Sequence, residues 1–574
     1  MNGDQTDPDA GRRPSAPGPI IASQGDLDDL VDAYVKPGMT VYLHHGAQAW
    51  VRSIIRVFKD RGEADLTAVM VQGGYALPDL IAAGVVRRVI AGSIVNPAVP
   101  SGRFAVIDDA FLSGRVEFEL WSLHSLTLRL MAGAMQWPFV PCNSLIDSDI
   151  EVANSLSCAH VAAPFAPDES SLVIAPLIAD IALIHAAVGD TLGHVASQPP
   201  IGDDLWGARG SRGGVLATVE RLLDPAEMHA FSPVARVPSK AIRSVAEAPF
   251  ASHPYESPVS GAGSDGYVRD DQFLAAYRRA VSSVDGHHAW LAKWVDEPRD
   301  QTAYLNRVGE KQLEEISMTR PRTVVTASEF PAWQRFKSSS APVQRAALVG
   351  ARHIVRGARS GAVDTVLVGV GAAKLACELA ATVLKLDSIA LSFVIGNGRA
   401  DVDMTLDTEN QNDSAFAVSS SIDIYGTLLR QAKSLAVLSA AQIDLQGNLN
   451  VSQVTVDGIP HLLTGSGGAN DAVSSCGNVL VVTTHRPGRF VDRVDFITCP
   501  GSRVTAVISE AGELRPGPDG FRLAGVWLDS AHSSDELVDR AGALFGRPAT
   551  APHGAVLERV QQPEEFAEVV RFCA

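Results

Sequence analysis

Short apolar runs recur along the chain: Thr40–Leu43, Leu183–His185, Val215–Val219, Thr365–Val368, Ile389–Val394, Val437–Ser439 and Val479–Thr483. They are apolar throughout rather than alternating, the pattern of strands buried on both faces. Between them lie Ala- and Leu-rich stretches such as Asp79–Ala83, Ser125–Met135, Ala373–Lys385 and Ile424–Lys433, which suit helices covering a sheet. Strand and helix alternating at this spacing predict a largely parallel α/β sheet. The longest apolar stretch, Leu172–Val188, is interrupted by Pro176 and Asp180. It falls short of the about 20 nearly uncharged residues that a membrane span needs, and two short buried strands, or a strand and its turn, are expected there.

The pattern also repeats. Thr40-Val-Tyr-Leu-His-His-Gly46-Ala47 lines up with Thr365-Val-Leu-Val-Gly-Val-Gly371-Ala372, and Ala182–Gly193 with Ala436–Gly447. Gly213–Glu220 then lines up with Gly477–Thr484. Matches in the same order, far apart and present twice only, imply two related halves rather than a solenoid. A pseudo-dimer follows, with the cleft between the halves as the place for an active site.

Composition narrows the partners. Of 574 residues, 46% are hydrophobic and 20% charged, enough apolar material for several packed cores. A net charge of −17 argues against non-specific nucleic-acid binding and against an anionic membrane surface. Local arginines or helix N-termini can still hold an anionic ligand. The cysteines are scattered, with no C-x-x-C pair, which reads as small buried hydrophobes in a reducing compartment; a cytoplasmic location is expected. Residues 1–22, rich in Asp, Gly and Pro, read as a disordered tail. No zinc-ligand spacing, EF-hand loop or G-x-S-x-G elbow is present, so no metal site is expected.

The chemistry-bearing loop is Gly465-Ser466-Gly467-Gly468-Ala-Asn470-Asp471, which follows the apolar run Ile459–Leu463. Its glycines let backbone N–H groups approach a phosphate or an oxyanion; a tight turn with a helix cap is the alternative. Together with Ala440–Asn450 and Arg489–Gly501, this loop resembles the second subunit of glutaconate CoA-transferase-like enzymes. The first half resembles the partner subunit, through Gly84–Ile90, Glu117–Ser122, Leu128–Ala134, Trp137–Pro141, Asp180–Asp190 and Ala248–Pro254.

The resemblance, to the family I CoA-transferase superfamily, implies both subunits fused: an α-subunit-like domain over 23–300, a linker over 301–322 and a β-subunit-like domain over 323–574. It implies two open, mainly parallel α/β halves and an acyl-CoA substrate, with no cofactor beyond that CoA. A further homodimer is compatible with it.

Family members attack the thioester with a Glu of the second half, in a Phe-Glu-small-Gly run. Here the run is Leu391-Ser-Phe393-Val394-Ile395-Gly396-Asn-Gly398, with Asp387 and Asp401 outside it, so Val394 stands at the nucleophile's position. The steroid ring-opening CoA hydrolases share the fold, lack that Glu and use a Glu of the first half as base. The matching residue is Glu119, with Glu117 its substitute if the register differs. Desolvation beside Trp121 is expected to raise the Glu119 pKa; an exposed or salt-bridged Glu is the alternative. His44 and His45 on the first glycine turn are candidate acid–base groups, or surface histidines. Gly465, Ser466, Gly467, Gly468, Asn470 and Gly371 are the candidate CoA-contacting positions. His185 reads as a packed core residue, His253 as a candidate cleft residue, and Arg486, Arg489 and Arg493 as phosphate ligands or a solvated face. Base-dependent hydrolysis, CoA transfer and silent acyl-CoA binding are the three readings this leaves.

Overall fold

The structure, a computed structural model, describes residues 18–63, 65–94, 104–197, 205–257, 266–317, 331–386, 389–396, 399–404, 415–430, 433–518, 520–528 and 556–559. Most of the amino-terminal tail, Met318–Arg322 of the linker, Asp387 and Gly398 lie outside the described residues.

The first half is built on β1 (Ile20–Ser23), β2 (Thr40–Leu43), β3 (Leu66–Gln72), β4 (Val86–Ser93), β5 (Glu117–Leu120), β6 (Ile181–Asp190), β7 (Val215–Leu223) and β8 (Ile242–Glu247). All pair in parallel, in the order β1-β8-β7-β6-β2-β3-β4-β5, and the short strand Val195–Ala196 adds antiparallel to β6. The second half uses β9 (Thr365–Val368), β10 (Ser392–Val394), β11 (Ser434–Leu438), β12 (Asn478–Val482), β13 (Val504–Ile508), β14 (Gly512–Arg515), β15 (Arg522–Leu528) and β16 (Val556–Arg559). Their order is β10-β9-β11-β12-β13-β14-β15-β16, with β14 antiparallel to both neighbours. The α/β class with large, mainly parallel sheets is therefore as expected.

The internal repeat is visible as topology. The strand path β8-β7-β6-β2-β3 of one sheet is matched by β13-β12-β11-β9-β10 of the other. Each matched pair from the sequence (β2 with β9, β6 with β11, β7 with β12) falls at the same place in its sheet. These strands are buried almost throughout, as two-sided cover by helices requires. The stretch Leu172–Val188 divides into the end of one strand and the start of β6, with Pro176 in the break. No helix among the described residues is long and apolar enough to cross a membrane.

Six helices matter for the site: α1 (Gln48–Arg61), α2 (Leu123–Ala134), α3 (Ala341–Arg359), α4 (Ala372–Leu386), α5 (Ser421–Gly426) and α6 (Ala469–Ser475). The segment expected as a linker after residue 300 is helical as far as Ser317. Tyr304 explains why. It is buried under the Arg52 guanidinium of α1, 3.8 Å from the ring centre, and shares a hydrogen bond with His253, so this segment packs as part of the first half.

Candidate functional site

The halves meet along the carboxyl end of β4. Gly467 N–H donates to the Gly92 carbonyl, and Leu123 N–H donates to the Gly467 carbonyl, each at 3.0 Å. Ile94 N–H and the Ser93 hydroxyl both donate to the Thr464 carbonyl. Gly465 and Gly467 have φ of +78° and +53°, a region that side chains avoid, which lets the loop lie flat against this strand end. Expectation and structure differ here. The Gly467 N–H is spent on joining the halves and is not free for an oxyanion.

Beside this seam lies a cavity of about 230 Å³. The first half lines it with Arg88, Glu117, Glu119, Trp121 and apolar neighbours, and the second half with Ser452, Gln453, Leu462, Ser466 and Phe496. Three of the expected residues, Glu117, Glu119 and Ser466, are thus brought to one place. The Ser466 hydroxyl is buried and has no hydrogen-bond partner among the described residues, an arrangement that costs about 1–3 kcal/mol unless a ligand answers it.

Glu119 occurs on edge strand β5 with its side chain 11% exposed. Its Oε1 accepts the Trp121 indole N–H at 2.7 Å and an Arg129 N–H at 2.5 Å, and its Oε2 accepts from Arg88. Arg129 also stacks on Trp121, 4.3 Å from the ring. Burial pushes the Glu119 carboxyl up, but the charge of Arg129, the bonds from Trp121 and Arg129, and the charge of Arg88 outweigh it. The net shift is downward, which corrects the expectation of a raised pKa: Trp121 brings a donor and a cation with it, not only an apolar wall. Glu117 is exposed and faces Arg88 at 3.4 Å, so Arg88 lies between the two acids.

Other expected residues stand elsewhere. His44 and His45 follow β2, which β3 and β4 separate from β5, roughly 14 Å at the usual strand spacing. The His45 ring packs on Tyr255 at 4.6 Å and the His44 Nδ1 accepts the Gly46 N–H at 3.3 Å; neither lines the cavity. Gly371, with φ +68°, turns the chain from β9 into α4 on an exposed edge and does not line the cavity either. Asn470 is buried, its amide donating to the Thr498 carbonyl at 3.0 Å. His253 is fully buried between Tyr304 and Asp270, away from the cleft, and burial lowers its pKa. His185 is buried as expected, paired with Glu220 at 2.8 Å. Arg489 is tied to Thr483 and Thr484, while Arg486 and Arg493 are exposed.

Val394 is fully buried among Leu367, Ile424, Tyr425 and Leu429. A side chain at Gly396, two residues on, would run into the Tyr425 hydroxyl. Asp401 instead accepts the Ser392 hydroxyl at 2.7 Å. Sequence reading missed Arg88 and Arg129, which hold Glu119, although each lies inside a segment that carried the resemblance.

Comparison with known proteins agrees with this construction. Residues 25–237 match the family described as Coenzyme A transferase. A protein of Archaeoglobus fulgidus is 27% identical over 298 residues, 50% of this chain and 63% of that one, so the chain spans less than two thirds of that relative. The glutaconate CoA-transferase of Acidaminococcus fermentans is matched through both of its subunits. One is 24% identical over 315 residues, 50% of this chain and 92% of its own length. The other is 35% identical over 68 residues, 12% of this chain and 25% of its own length. The fold is shared with an acyl-CoA transferase of E. coli O157:H7, solved as a thioester complex with CoA, at a TM-score of 0.60 and 15% identity over 90% of this chain and 93% of that one. Over residues 25–237 the chain thus carries the pattern of the Coenzyme A transferase family, it is similar to both subunits of a glutaconate CoA-transferase, and it shares the fold of an acyl-CoA transferase.

Proposed function

We propose that the chain acts on an acyl-CoA thioester in the cavity between its halves, with Glu119 as the base of a hydrolysis at the thioester or at the adjacent carbon–carbon bond. The observation that carries this reading is the pairing, across one cavity, of an ionised carboxylate with a buried, unanswered hydroxyl on Ser466. CoA belongs to the substrate and no further cofactor is invoked.

Held below its ordinary range, Glu119 is in the basic form throughout neutral pH, yet its lone pairs are engaged. Arg129 and Trp121 are buried and stay in place. Arg88, 37% exposed, is the partner a bound substrate can draw away. Loss of that one charge raises the basicity of Glu119 at the moment the cavity fills, and water or an acidic C–H then meets a stronger base. Ser466 supplies a hydroxyl donor for the thioester oxygen. The usual transferase route has less support. It needs a carboxylate nucleophile in the second half, and Val394 is core while Gly396 has no room for a side chain.

The test is free CoA release from a panel of acyl-CoA thioesters, with and without acceptor carboxylates, for the wild type and Glu119→Gln. Release without acceptor, lost in the variant, supports the hydrolase. Strictly acceptor-dependent exchange that survives the substitution overturns it in favour of transfer. Tight CoA binding with no turnover, and no carbon-bond cleavage by mass spectrometry, leaves a binding protein.

A further inference from the structure

The seam holds a carboxyl that the proposed chemistry leaves unused. Asp471 on α6 is fully buried. Its Oδ1 accepts the Ser122 hydroxyl at 2.6 Å and its Oδ2 accepts the His124 backbone N–H at 3.0 Å. Both donors belong to the other half. Ser122 is the N-cap of α2, where it forms a reciprocal pair with Ser125. The His124 N–H lies in the first turn, where a helix offers its own donors no acceptor. The start of α2 is therefore capped from within and again from across the seam.

The position of that cap matters. Ser122 directly follows Trp121, whose indole N–H holds Glu119. Asp471 follows the glycine loop that carries Ser466, and the Gly467 carbonyl takes the Leu123 N–H between the two Asp471 contacts. One carboxyl thus ties together two segments that both line the cavity.

We propose that Asp471 is a positioning residue for this site: by holding Ser122 and the first turn of α2, it fixes the separation of Glu119 and Ser466. The proposal rests on the reading that this cavity is where the thioester reacts.

Its electrostatic setting ties the device to pH. Burial, opposed by the Ser122 and His124 donors, pushes the Asp471 carboxyl up to about 7. No cation pairs with it among the described residues. The groups facing it are the Cys142 thiol before the turn Asn143–Leu145 and the Cys499 thiol, both pushed up by burial and neutral. The His124 ring is held to about 4 by burial and by Arg430, and is also neutral; Tyr425 on α5 packs against it. The ionised carboxylate accepts both seam donors. The protonated acid has one acceptor oxygen left for the His124 N–H and must turn its own proton towards Ser122, so the contact changes its hydrogen-bond pattern near neutral pH.

The experiment uses the full chain, wild type against Asp471→Asn, with Ser122→Ala removing the same contact from the other side. Amide hydrogen exchange of the peptide spanning residues 119–127 should rise about tenfold in either variant, with the melting transition still cooperative. Acyl-CoA turnover, read as free CoA, should lose at least tenfold in kcat with KM within twofold, and the limb of its pH profile near neutrality should vanish in Asp471→Asn. Exchange unchanged in both variants overturns the positioning role. Exchange raised but kcat and pH profile unchanged overturns it equally, because a purely structural contact behaves so. A wild type that releases no CoA and cleaves no substrate removes the acyl-CoA reading, while the exchange data still decide whether Asp471 holds the seam.

Discussion

Substituting Arg129 by Met should expose how much of the Glu119 environment is electrostatic. Arg129 is 6% exposed and Glu119 11%, so the pair is well shielded from solvent. Removing one member of a buried pair costs about 3–5 kcal/mol; Arg88 and Trp121 stay with Glu119, which places the expectation near about 3 kcal/mol. Loss of the nearest cation should move the Glu119 carboxyl upward from its depressed wild-type position. In the wild type the folded pKa is depressed. Its stabilisation is therefore present above the unfolded value of about 4.3 and is lost as pH falls through the lower folded value. In Arg129→Met the largest of the influences that hold the carboxyl down is gone, so the loss of stability on the acid side should shrink. The assay is urea unfolding at several pH values between 3.5 and 7 for wild type, Arg129→Met, Glu119→Gln and the double variant. Strong non-additivity, with the double variant less destabilised than the sum, is expected. Additivity within about 0.5 kcal/mol, or parallel pH slopes in all four proteins, would refute the account.

Three further outcomes are expected. Ser466→Ala should leave the free protein as stable or more stable by about 1 kcal/mol, since an unanswered buried hydroxyl is lost, while the rise in melting temperature given by acetyl-CoA shrinks. Gly396→Ala should destabilise by about 1–3 kcal/mol in thermal unfolding, because its Cβ would meet the Tyr425 hydroxyl. The Asp471 carboxyl, at about 7 folded against about 4 unfolded, should make wild-type stability fall by about 3 kcal/mol as pH rises from 4 to 7, and Asp471→Asn should flatten that slope in calorimetry.

The sheets were legible in the sequence because buried parallel strands carry uninterrupted apolar runs, and both Thr40–Leu43 and Thr365–Val368 begin and end where the runs do. The duplication was legible for the same reason: the repeated core strands keep their residues. Ile389–Val394 is strand only from Ser392, since nothing in an apolar run marks where pairing to β9 begins. The site was legible only in part. Glu119, Glu117 and Ser466 fall in distinctive local strings, whereas the histidines were grouped with them on residue type alone, and strand order keeps them apart. The Glu119 pKa went the other way because Arg129 lies ten residues along the chain, on α2, and only the turn from β5 into that helix brings its guanidinium back over Trp121. The Gly467 N–H could not be assigned from sequence at all, because its acceptor, the Gly92 carbonyl, belongs to the other half.

That the two halves are one polypeptide has a consequence for what their seam can tolerate. Separate subunits must recover the entropy of association from their contact at whatever concentration each is present. A shared chain holds each half near the other at a high effective concentration, independent of how much protein is made. The contact can therefore carry groups that weaken it, such as the partnerless Ser466 hydroxyl and the orphaned Asn470 oxygen. In a dissociable pair, each would be a step towards separation. Here the covalent connection relieves the interface of having to hold itself together, and leaves its polar groups free to serve a ligand.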